Sequence, residues 1–135
     1  MVGVLELVTS IAGLIAFVET LLGFASELRS LSSDCSSLVD ELAVLNRVLN
    51  EVDREFRESI NLCTAEARAT TLDVLEGCIL QCKATCEDLR DVINRIRRSK
   101  VKKVRARLEA GKTREGLKRL ERDKSTLRLM LATIT

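Results

Sequence analysis

Cys78, Cys82 and Cys86 recur at i, i+4 and i+8, which stacks three thiols along one side of a helix. Thiols so placed could hold a soft metal or do redox work. Ligands one turn apart on a single rigid helix, however, cannot close a tetrahedron by themselves. The competing use is as small buried side chains at a helix contact. Cys35 and Cys63 raise the total to five, an odd number. The apolar amino terminus has no basic leader and carries Glu6 and Glu19, so no secretory peptide is expected. Reduced thiols in a cytoplasmic protein follow.

Other chemistry is scarce. The chain lacks His, which removes Ser-His-Asp, Cys-His and His-containing zinc arrangements. Gly111-Lys112-Thr113 has the ending of a phosphate-binding loop. The glycine required five residues earlier is replaced by Ala106. The acidic residues fall singly on helix faces. No enzyme, cofactor or metal is expected.

The 135 residues suit one domain, 1–135, with 46% apolar and 31% charged residues. Three phenylalanines are the only aromatic residues, so the core must be aliphatic. Twenty-two Lys/Arg and 20 Asp/Glu give a net charge of +2. That average hides a division. Residues 1–94 hold seven basic and sixteen acidic residues, a balance of −9, and residues 95–135 hold fifteen and four, a balance of +11.

Four stripes at helical spacing must position these charges. The first segment, Val2 to about Leu31, carries Leu7, Val8, Ile11, Leu14, Ile15, Val18, Leu21, Leu22 and Leu28, with no charge from Leu7 to Val18. Its length as a helix would be about 40–45 Å, enough to cross a bilayer. Glu6 and Glu19 interrupt the apolar run.

The second helix places Leu38, Leu42, Leu45, Leu49, Val52 and Phe56 on one seam. Its start is either Ser37, capped with Asp40, or nearer Ser33. The third places Leu72, Leu75, Ile79, Cys82, Cys86, Leu89, Ile93 and Ile96 on another, starting at a Thr70/Asp73 cap or near Thr64. Gly77, Cys78 and Cys82 would let a neighbouring helix come close.

Val101, Val104 and Leu108 form a short amphipathic piece, Gly111 marks a break and Thr113 offers a cap. The last stripe is Leu117, Leu120, Leu127, Leu131 and Ile134, with Lys124 where an apolar residue was due. Lys124 either runs its stem along the seam or stands exposed for a partner. The expected fold is an all-α antiparallel four-helix bundle with a short extra helix before the last.

The opening LELVTSIAGLIAFVETLLGF resembles the start of the HeLo-like amino-terminal domains of fungal STAND proteins. The resemblance continues through LVDELAVLNRVLNEV and CILQCKATCEDL and closes with LKRLERDKSTLRLML. In order, these blocks span most of residues 4–131. The chain departs from such relatives by having VKKVRARLEAG where they carry aromatic residues before the last helix.

The resemblance implies the front domain of a NOD-like or ankyrin-repeat receptor acting in heterokaryon incompatibility and regulated cell death. On it, Leu7, Ile11, Leu14, Ile15, Val18 and Leu22 would be the membrane-inserting face. Gly13 and Gly23 would be small positions for helix contact, and Glu6 and Glu19 would line an aqueous side or regulate insertion. The domain would be cytoplasmic at rest and membrane-associated when activated.

The basic segment gives a matching expectation. Arg95, Arg97, Arg98, Lys100, Lys102, Lys103, Arg105 and Arg107 would either recruit anionic lipid or pair with the acidic body. An oligomerising adaptor domain that binds receptor or adaptor proteins is the second functional expectation, and self-association belongs to both. Nucleic acid is not an expected partner, because basic charge comes without a recognition motif or stacking platform.

Overall fold

The computed structural model describes residues 3–59 and 65–134. These form α1 (Val4–Ser26), a 3-10 turn (Arg29–Leu31), α2 (Ser33–Ser59), α3 (Ala65–Arg98), α4 (Lys102–Leu108) and α5 (Ala110–Ile134). Cys63 and the Thr64 start, as well as the Val2 end of the first segment and the Ile134 side chain, lie outside the described residues. The described chain is all-α, with four long helices in a bundle and one short helix before the last.

The boundaries follow local hydrogen bonding. The Ser32 hydroxyl accepts from the Cys35 amide at 3.1 Å and caps α2. The earlier of the two expected starts therefore holds, and Asp40 pairs with Arg29 instead of capping. Within α3, Thr70 donates to the Glu66 carbonyl at 3.2 Å, as an interior helical threonine does. The break before α5 falls at Glu109 rather than Gly111. Thr113 is not a cap: its buried hydroxyl donates to the Glu109 carbonyl at 3.0 Å.

α1 packs on α2 and α3, and α5 packs on the same two. Consecutive long helices alternate in direction. Across the bundle, pairings such as Phe17 with Arg90 and Phe24 with Arg97 make α1 and α3 parallel neighbours. Arg114 with Asp34 and Lys124 with Glu41 do the same for α5 and α2. α2 and α3 thus take opposite corners. The α2 and α3 seams are buried from Leu38 to Phe56 and from Leu72 to Ile96. α4 lies across one end, against α3 and the 3-10 turn.

The close helix approach is not at Gly77, where a methyl group would meet nothing within 4 Å. It is at Gly116 of α5, where a methyl would collide with the Leu89 side chain of α3. The absent side chain lets the two helices meet there.

Candidate functional site

α1 is long and apolar enough to cross a membrane by length and composition. Leu7, Ile11, Leu14 and Val18 of the expected inserting face are in the core, while Ile15 and Leu22 are partly buried against it. Gly13 is exposed, and a methyl group there, or at Gly23, would have no neighbour within 4 Å. In this arrangement neither glycine is at a close helix contact. Gly13 instead lines a groove of about 300 Å³ between α1 and α3, together with Ser10, Leu14, Phe17, Ile79 and Lys83.

The outward face of α1 is unlike that of an ordinary surface helix. It presents Leu5, Thr9, Ser10, Ala12, Gly13, Ala16, Thr20 and Gly23, with Glu6 and Glu19 as its only charges before the last turn. Neither glutamate forms an ion pair among the described residues. Every hydroxyl of α1 donates back along the helix: Thr9 to Leu5, Ser10 to Glu6, Thr20 to Ala16 and Ser26 to Leu22, at 2.9, 3.0, 3.1 and 2.7 Å. A core helix would be mostly covered. Only 28% of the most apolar eighteen-residue window of α1 is buried.

The basic segment divides residue by residue between pairing and exposure. The Glu109 carboxylate, buried between α4 and α5, accepts from Arg95 at 3.0 Å and Arg105 at 2.9 Å. Arg97 reaches Glu27 at the end of α1 at 3.1 Å and covers the Phe24 ring. Further along, Arg114 and Arg119 reach Asp34 and Asp88. Arg98, Lys100, Lys102, Lys103 and Arg107 form no ion pair among the described residues. Internal pairing and an outward cationic surface are both present, carried by different side chains.

No family model matches the chain, and no curated protein or solved structure matches it.

Of two buried polar groups in α5, Asp123 reads as surface charge in the sequence, whereas Lys124 is marked by its place on the apolar stripe. Asp123 is 2% exposed and accepts from the Thr85 hydroxyl of α3 at 2.7 Å. Lys124 is also buried, and its ammonium contacts Glu41 of α2 at 2.7 Å and Glu121 at 2.8 Å. Its stem does run along the seam, but its charge is neither lifted into solvent nor offered to a partner. Burial works against the charged ammonium, and the bonds to Glu121 and Glu41 overcome it, leaving the Lys124 pKa above its ordinary value.

The cysteine row packs beside Asp123. Cys78, Cys82 and Cys86 are buried free thiols. A hydrogen bond with Cys86 and then burial push the Cys82 thiol up, and burial followed by the Asp123 charge does the same for Cys78. Both are held as unreactive thiols. Among the described residues no group of three or more His, Cys, Asp or Glu side chains is arranged to hold a metal.

Proposed function

We propose that this chain is a HeLo-like, non-enzymatic membrane-targeting domain that induces cell death by perturbing or perforating a membrane. Its setting would be fungal innate immunity and incompatibility. The observation that carries the reading is α1 itself: a helix long and apolar enough to span a bilayer, with an outward face of mostly small and hydroxyl residues whose hydroxyl donors are all satisfied within the helix. Such a helix can enter hydrocarbon with few unpaired polar groups beyond Glu6 and Glu19. At rest the domain is cytoplasmic, with one face of α1 in the core. On activation the outward cations hold an anionic leaflet, and α1 turns Leu7, Ile11, Leu14, Ile15, Val18 and Leu22 from the bundle into lipid. Self-association of the inserted helices completes the lesion.

The test is sedimentation with, and dye release from, phosphatidylcholine vesicles containing phosphatidylserine. Intact protein should bind and release dye. Arg98→Glu with Lys102→Glu and Lys103→Glu removes only unpaired cations and should weaken binding by about a hundredfold or more, with an unchanged helical spectrum. Intact protein that neither binds nor releases dye would refute the reading and leave the adaptor role.

A further inference from the structure

α4 is short, and it faces the wrong way for a core helix. Ala106 and Glu109 hold it to the bundle and are buried. Val101 at its N-cap, Val104 and Leu108 point outward, 58%, 52% and 70% exposed. Their spacing of three and four residues puts them on one face. Scattered exposed aliphatic residues are ordinary. Here three of the seven large apolar side chains most exposed among the described residues fall within eight consecutive positions. The same run holds Lys102, Lys103 and Arg107, and Arg98 and Lys100 lie just before it, all without an ion pair among the described residues.

We infer that the outward face of α4 is an interfacial foot that docks on an anionic lipid bilayer before α1 leaves the bundle. The inference rests on the membrane reading above and adds to it a specific contact. Charge complementarity selects the occupant. Each cation near an anionic leaflet raises affinity about fivefold. Val101, Val104 and Leu108 then supply apolar area that reaches the acyl boundary, as in interfacial amphipathic helices. A nucleic-acid backbone would satisfy the cations but leave this apolar face in water. The foot is at the end of the bundle where α1 terminates, beside Arg97, Glu27 and Phe24. Docking there leaves the α1 core contacts intact, so binding and insertion are separate steps.

The chain contains no tryptophan, so Leu108→Trp provides a single emission reporter. On phosphatidylserine-containing vesicles its emission should shift to the blue, and on pure phosphatidylcholine it should not. Val104→Gln with Leu108→Gln keeps every charge, replaces two exposed side chains and should lower vesicle partitioning about tenfold or more. Equal partitioning of this variant and the unaltered protein would overturn the foot while leaving the membrane reading in place. Failure of both proteins to bind would refute the membrane reading itself. A variant that loses self-association in solution but not vesicle binding would assign the face to a second copy and overturn the inference.

Discussion

The Arg97 guanidinium carbon of α3 lies 3.9 Å from the centroid of the Phe24 ring of α1, and its Nε donates to Glu27 at 3.1 Å. About two turns earlier on each helix, Arg90 lies 5.7 Å from the Phe17 centroid. Two of the three phenylalanines are therefore covered by arginines of the parallel neighbour. Cation–π contacts of this kind contribute about 0.5–2 kcal/mol each, and the half-exposed ion pair adds little. Together they clamp the carboxy-terminal half of α1 at the edge of the core, against which both rings are partly buried.

Arg97→Ala should lower global stability by only about 1 kcal/mol. It should loosen α1 more than the rest. Hydrogen exchange should rise over residues 17–27 before it rises in α2 or α5, and dye release per bound molecule should quicken. Uniform exchange across the bundle would show that Arg97 does not act as a clamp.

Lys124 sets a pH dependence whose sign can be worked out. Its folded pKa is raised above the ordinary 10.5, so its stabilisation is complete below that value and is lost as pH rises through the folded one. Its partner Glu121 is lowered from 4.5 by Lys124, so its share is present above 4.5 and is lost as pH falls through the depressed value. Lys124→Met should destabilise by about 1–3 kcal/mol at neutral pH, because Glu41 loses its counter-charge. The difference from the unaltered protein in urea unfolding should narrow above pH 10.5. A difference constant up to strong alkali would contradict the assignment.

Thr85→Val takes the hydroxyl from Asp123 while keeping shape, and leaves a buried carboxylate without that donor. A loss of about 1–3 kcal/mol is expected. Adding Asp123→Leu should recover most of it, since removing both polar partners is far less harmful than removing one. Chemical denaturation of the two variants checks this, and a double variant no more stable than Thr85→Val would contradict it.

Two glycines should respond oppositely to alanine. Gly77→Ala meets open space in a helix interior and should stabilise by about 1 kcal/mol. Gly116→Ala drives a methyl into the buried Leu89 side chain. A net loss of about 1–2 kcal/mol is expected, because overpacking exceeds the helix-propensity gain. Thermal unfolding distinguishes the two signs.

The bundle was legible because the aliphatic seams are long and regular. Every seam residue from Leu38 to Phe56 and from Leu72 to Ile96 that the spacing marked is buried. What spacing does not encode is which seam meets which. The parallel α1–α3 and α2–α5 neighbours depend on cross-helix pairs such as Lys124–Glu41. Asp123 and Glu109 sit in a charged run and read as solvated, although both are buried by partners from α3. Gly116 could have been noticed as a glycine inside the last helical pattern, but only Leu89 explains it. In the basic segment, composition supplied the charge and geometry decided which cations remain outward.

The entry of α1 into lipid is tested most directly by Ala12→Lys with Ala16→Lys. Both positions are exposed on α1, so the resting fold should be retained. In hydrocarbon each lysine near the helix centre is unfavourable by about 3 kcal/mol. Paired sedimentation and dye-release measurements on phosphatidylserine-containing vesicles separate docking from insertion. The account predicts that the variant binds at least as well as the unaltered protein yet releases dye at least tenfold more slowly. Equal release by the two proteins would contradict insertion of α1.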